Sequence, residues 1–355
     1  MLSIHKSVRR RMGVSAVSVV LATGTLLATS LTVVSTSAQS AAASTKLLKV
    51  DMDVKIVGHT FFTEILQGAK AQAAKSGISL TYSGPTFSNA QQQATQLSSI
   101  LQQGYKVLLL SANSPTVEAP AAKQAIKMGM KVITFDASVI PSATQLYVSD
   151  TNNAAFGQCL LTQAAKFAGP KAEFAIVSSN ADSPNQIAWI AAAMAYQKAH
   201  YPGMKYDGIV YGQGDAGLSS TAAQALINAH PNLRVLLTPD SGAAPGAAEG
   251  ITKLHKIGKV MSIGQGDLAS SRPYILNGSE TSCMWNNYGL GVLLDYLAKY
   301  AASGAPWPLK NGAKFSQDPA GTWTVHNGVI DYALVPTVFN KQNVNSFTDA
   351  GQPKK

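Results

Sequence analysis

At 355 residues the chain exceeds what one hydrophobic core usually holds, so two domains with separate cores are expected. With 46% hydrophobic and 13% charged residues it is not a disordered chain. Its formal charge of +10 falls to about +6 once Lys6, Arg9, Arg10 and Arg11 are set aside with a removable leader. The remaining Lys and Arg are scattered, without a basic helix or basic–aromatic alternation, so no nucleic-acid partner is expected.

The first 43 residues read as a signal peptide. A basic cluster, Arg9-Arg10-Arg11, precedes an apolar segment over residues 14–34, and the small-residue run Ser35–Ser44 follows, with cleavage expected after Ser40 or Ala43. Basic, then apolar, then small is the order of an export leader; an uncleaved membrane anchor is the alternative. The expected location is the periplasm or the cell exterior.

From Lys46 one rhythm repeats: strand, loop, amphipathic helix, strand. Leu47–Val57 reads as the first strand and Phe61–Ser76 as the first helix, closed by Gly77. Strand Ile78–Tyr82, helix Ala90–Gln103, strand Val107–Leu110 and helix Val117–Met128 follow. The stretch Lys131–Asp150 then breaks the pattern. A buried strand, Val132–Phe135, ends on Asp136, and a second strand, Gln145–Ser149, comes after a Pro141 turn with no helix between. Such a break is what a crossing between two lobes looks like.

Beyond it the rhythm restarts. Helix Asn153–Ala168, strand Ala172–Val177, helix Gln186–Ala199, strand Tyr206–Tyr211, helix Ser219–Ala229, strand Leu233–Leu237, helix Ala243–Ile257 and strand Val260–Ile263 are expected in turn. Helix Leu290–Ala302 reads as returning to the first lobe, with the tail crossing once more. The expected division is 46–148 with 286–332 as lobe 1, and 149–285 with 333–350 as lobe 2.

Enzymatic signatures are sparse. No GxSxG elbow, SxxK set or phosphate loop is present, and the six histidines never take metal-ligand spacing. Gly212-Gln213-Gly214-Asp215-Ala216-Gly217 is a literal GxGxxG with Asp240 roughly 20 residues further on, the dinucleotide pattern. It lies late in the second lobe, behind a strand weakened by Asp207 and Gly208, so a plain turn is the favoured reading. Cys159 and Cys283 read as two separate buried thiols, with one disulfide as the alternative.

What recurs is a polar or aromatic group beyond the strand ends, where ligands sit in open parallel sheets. Lys55, His59, Phe61, Phe62, Asp136, Asn185, Gln186, Asp240, Ser241, Gln265, Trp285 and Asn286 all stand at such places. Each has a bland alternative: Phe61 and Phe62 as core, Asp136 as a turn cap, Lys55 as an edge charge. Together they describe a cleft that hydrogen-bonds hydroxyls and covers an apolar ring face with aromatics.

At these residues the sequence resembles the type I periplasmic sugar-binding proteins of ABC importers, and more closely the branch of autoinducer-2-binding and rhamnose-binding proteins. The strings KIVGHTFF, TYSGPT, LSSILQQGYKVLLLSANSP, KVITFDAS, LLTPDSGAAPGAAEG, and RPYILNG followed by MWN carry the likeness from Lys55 to Tyr332. The resemblance implies an α/β fold: two Rossmann-like lobes with parallel sheets joined by a multi-strand hinge. It implies that Lys55, Asp136, Gln186 and Pro239 contact ligand, that Phe61 and Phe62 flank a sugar, and that Asn286 closes the site at the hinge. Asn185 stands where the autoinducer-2 branch has aspartate, and Ser241 where it has alanine. An amide presents one acceptor and one donor where a carboxylate only accepts, so the expected ligand is a small monosaccharide or polyol instead.

The function implied is an exported receptor that captures such a ligand and delivers it to an ABC permease in the inner membrane. It would work as a monomer, without cofactor, metal or catalysis. Asp136 would accept hydroxyl hydrogen bonds, Lys55 would donate, Asn185 and Gln186 would bind from the second lobe, and Trp285 would join the aromatic cover. The rivals are an exported NAD(P)-dependent oxidoreductase built on Gly212–Gly217 and a chemoreceptor partner that presents the same ligand to a membrane sensor.

Overall fold

The computed structural model describes residues 47–317 and 321–354. The leader expected over residues 1–43 lies outside them. Among the described residues no helix is long and apolar enough to cross a membrane.

Two six-stranded sheets organise the chain. The first is built from β1 (Leu48–Asp53), β2 (Ile78–Ser83), β3 (Val107–Leu110), β4 (Lys131–Phe135), β5 (Leu146–Thr151) and β13 (Val329–Ala333), in the order β13-β5-β4-β3-β1-β2. All its pairings are parallel. Helices α1 (Thr60–Ser76), α2 (Ala90–Ile100) and α3 (Ala119–Lys127) alternate with the early strands. The second sheet takes β6 (Glu173–Ser178), β7 (Lys205–Tyr211), β8 (Leu233–Thr238), β9 (Met261–Gly264), β10 (Glu280–Met284) and β14 (Thr337–Phe339), in the order β14-β10-β9-β8-β6-β7. Only β14 runs antiparallel to its neighbour. Its helices are α4 (Asn153–Ala168), α5 (Pro184–His200), α6 (Ala216–Ala229), α7 (Ala243–Lys253) and α8 (Leu268–Asn277).

The chain passes between the sheets three times: from β5 into α4, from β10 into α9 (Asn287–Ala302), and from β13 into β14. Helix α9 packs along α1, which puts it on the first lobe. A small hairpin, β11 (Lys314–Gln317) with β12 (Gly321–Thr324), precedes the last crossing. The pair β4 and β5 is joined by a single turn at Pro141–Ala143 and lies parallel within one sheet, so the crossing itself comes just after Thr151.

Each lobe is closed by apolar strands under small-faced helices. In β3 and β4 every residue but Lys131 is buried, as expected for strands covered on both faces. Strand β7, flagged by Asp207 and Gly208, lies at the sheet edge and is only partly buried. Gly77, at φ 76°, closes α1 in the left-handed conformation that a side chain would oppose. Two expectations are corrected. β1 stops at Asp53, because the Val54 and Val57 amides turn to the Ser83 and Pro85 carbonyls and leave the ladder with β3. Cys159 and Cys283 are not separate thiols: they form a disulfide tying α4 to β10 inside the second lobe.

Candidate functional site

The carboxyl ends of both sheets meet at one cleft, the place where open parallel sheets bind ligands. From the first lobe, the loop after β1 brings Lys55, Ile56 and His59, the first turn of α1 brings Phe61 and Phe62, and the end of β4 brings Asp136. The loop after β2 adds Ser88. From the second lobe come Ser179 after β6, Asn185 and Gln186 in the first turn of α5, Asp240 and Ser241 before α7, and Gln265 after β9. They enclose a cavity of about 30 Å³, room for roughly two waters.

Asp136 is the centre of the polar network. Its φ of 56° places a non-glycine residue in the left-handed region, and three contacts hold it there. Tyr147 Oη donates to its carbonyl at 2.7 Å, Ser111 Oγ donates to Oδ2 at 2.6 Å, and Lys55 Nζ sits 2.9 Å from Oδ2. Across the cleft, Asn185 Nδ2 donates to Asp136 Oδ1 at 2.5 Å. Lys55 also reaches the second lobe, 3.4 Å from Asn185 Oδ1 and 3.5 Å from Ser183 Oγ. At the rim Asn180 Nδ2 donates to Ser88 Oγ at 3.0 Å. Behind Asp136 lies the fully buried Asp150, held well above the usual carboxylate range first by burial and then by the Asp136 charge. Asp136 therefore backs onto a neutral acid.

Supporting groups fix both walls. On the first lobe, Gln93 Nε2 donates to Asp53 Oδ1 at 2.7 Å, and Asn113 Nδ2 holds the Lys55 carbonyl at 3.1 Å. Burial pushes Asp53 up to about 7. On the second lobe, Gln186 Oε1 accepts from Ser179 N at 2.9 Å and Ser179 Oγ at 2.8 Å, and Gln186 Nε2 donates to Asp240 Oδ2 at 3.1 Å. Asp240 Oδ1 accepts from Ala243 N at 2.8 Å, so this carboxylate also caps the start of α7.

Three of the residues singled out in the sequence lie elsewhere. Trp285, 3% exposed, is packed with Phe61, Phe156 and Trp189 beneath the cavity rather than in its wall. Asn286 caps α9 through Gly289 N at 2.9 Å, at the second crossing. Pro239 is buried next to Asp240 but does not line the cavity. Ile56, Ser88 and Ser179 line it without having been singled out; a serine or isoleucine in a loop carries no signal of its own. The glycines of Gly212–Gly217 serve packing: a Cβ at Gly212 would strike Ser219, and one at Gly214 would meet Ile56 of the opposite lobe at 2.9 Å.

Two parallel-sheet lobes, three crossings and a polar cleft between the carboxyl ends define a type I periplasmic binding fold. The chain belongs to the periplasmic binding protein domain family, whose pattern matches residues 50–306. It is similar in structure to a solute-binding protein of an ABC transporter from Clostridium phytofermentas with bound L-rhamnose, at 21% identity and a TM-score of 0.79, covering 84% of this chain and 97% of that one. LsrB from Clostridium saccharobutylicum in complex with AI-2 shares 25% identity at a TM-score of 0.78, covering 84% and 99%. A sugar ABC transporter protein from Actinomyces odontolyticus shares 26% identity at a TM-score of 0.67, covering 84% and 97%.

Proposed function

We propose that this protein is an extracytoplasmic solute-binding protein that captures a small sugar or polyol between its lobes and delivers it to an ABC permease in the inner membrane. It acts as a monomer, without catalysis, and is exported by its leader. Lobe 1 comprises 46–148 with 286–332, and lobe 2 comprises 149–285 with 333–350. The observation that carries the reading is the cross-cleft set Lys55, Asp136 and Asn185, which supplies donors and acceptors from both lobes beside Phe61 and Phe62. Hydroxyls both donate and accept, so a polyol can replace each of these direct bonds when the lobes part and close around it. A ligand that contacts both lobes favours closure because the open form lacks half of those contacts.

A thermal-shift screen of the protein from Ser44 onward, against monosaccharides, deoxy sugars, polyols, autoinducer-2 and NAD(P), tests this. A ligand at a hundred times its dissociation constant adds about 2.7 kcal/mol, a shift a melting curve resolves. Stabilisation by one sugar or polyol is expected. Stabilisation by NAD(P) alone would replace the receptor with an oxidoreductase.

A further inference from the structure

His59 belongs to the first lobe, in the loop between β1 and α1, yet its ring is packed against the second. Nε2 lies 3.3 Å from where a Cβ on Gly242 would stand, and the ring donates to the Gly214 backbone. Two glycines thus form a wall low enough for an imidazole to reach across the cleft. With Nε2–H donating to that wall, Nδ1 keeps its lone pair. That atom is buried and has no hydrogen-bond partner, while the ring itself lines the cavity. Buried acceptors are ordinarily satisfied, so this one calls for a donor. Nearby donors are engaged elsewhere: Lys55 and Asn185 with Asp136, and Gln186 with Asp240.

We infer that His59 Nδ1 accepts a hydroxyl hydrogen from the bound ligand, which makes His59 a specificity-determining residue that requires a hydroxyl at that corner of the cavity. The inference rests on the polyol-receptor reading above. A ligand that places an acceptor-only group there, such as a ring oxygen or a carboxylate, meets the lone pair and is rejected. The charged groups that face the ring are Asp240 from the second lobe and Lys55 and Asp136 from the first. Burial keeps the imidazole below its ordinary pKa, outweighing the opposing pull of Asp240, so the ring is neutral near pH 7 and becomes charged only in acid.

The test is calorimetric titration of wild type, His59→Phe and His59→Gln. The probe is whichever of D-galactose, D-fucose, L-rhamnose and D-arabinose binds most tightly, with its monodeoxy analogues taken one hydroxyl at a time. On wild type one analogue is expected to bind at least tenfold more weakly. That penalty should shrink to under twofold in H59F while the other analogues lose equally on both proteins. H59Q, which retains an acceptor oxygen, should restore part of it. At pH 5.5 the wild-type penalty should shrink as Nδ1 protonates, whereas H59F, which keeps Asp240, Lys55 and Asp136, should show no such change. Equal discrimination by H59F and wild type at every hydroxyl would make His59 a mere wall and overturn the inference. Wild type binding none of the sugars would instead overturn the receptor reading itself.

Discussion

Among the described residues four non-glycine positions have positive φ, and of these only Asp136 lies in the cavity wall. Backbone strain of this kind persists where surrounding contacts over-determine it, and such places cluster at functional sites. The competing reading of Asp136 as a turn cap fails on geometry, since its carboxylate bonds Ser111, Lys55 and Asn185 instead of nearby turn amides. Truncating one member of a buried, hydrogen-bonded charge pair costs about 2–5 kcal/mol, much of it from the charge left unpaired. Both Asp136→Ala and Asp136→Asn should therefore weaken binding of the preferred sugar at least thirtyfold in calorimetric titration, with Lys55 stranded in each. Affinity within threefold of wild type would remove Asp136 from the site. Asn185→Asp is a sharper probe, because it trades a donor facing Asp136 for a second carboxylate. It should lower affinity at neutral pH and regain part of it at pH 5, where one of the two acids takes up a proton.

At the scale of elements, the alternating strands and helices were legible because apolar runs and helical spacing repeat so regularly from Leu47 to Ile263. What periodicity leaves open is which partner a face meets. Trp285 reads as an aromatic at a strand end, but only the packed structure shows that Phe156 and Trp189 enclose it from below. Helix α8 was hidden by its serines and by Pro273 within it, and the β11–β12 hairpin by its short, polar strands. The disulfide was illegible for a different reason: a separation of 124 residues says nothing of distance until α4 is laid against β10. Closing a loop of that length stabilises by about 5 kcal/mol in the chain-entropy limit. The double substitution Cys159→Ala with Cys283→Ala should lower the melting temperature, or the denaturant midpoint, by a comparable share. Sugar affinity should survive, since neither cysteine lines the cavity. If binding falls as far as stability does, the disulfide also sets the geometry of the cleft.

Across the whole molecule, buried carboxylates set how stability responds to pH. Glu64 on α1 and Asp267 before α8 come from opposite lobes, and Asn287 Nδ2, at the start of α9, lies 2.7 Å from one and 3.3 Å from the other. Burial pushes Glu64 up to about 7 and Asp267 well above the usual carboxylate range, and their mutual repulsion raises Asp267 further. Elsewhere burial lifts Glu118 to about 7 and Glu280 to about 8. In the unfolded chain such glutamates release their protons near pH 4.3, so between about pH 4.3 and 8 the folded state binds more protons than the unfolded one. Stability is then fully present at the acidic end and declines as pH rises through 7 and 8. Unfolding by urea should accordingly show a higher midpoint at pH 5.5 than at pH 8.5. Glu280→Gln removes one of these protons without changing shape, and should raise the midpoint at pH 8.5 while leaving it nearly unchanged at pH 5.5. Glu64→Gln should do the same and also hold the Asn287 bridge at alkaline pH. Because that bridge joins the two lobes, the E64Q gain should be larger with sugar bound, when closure is demanded, than without it. An equal gain in both states would confine Glu64 to the stability of its own lobe.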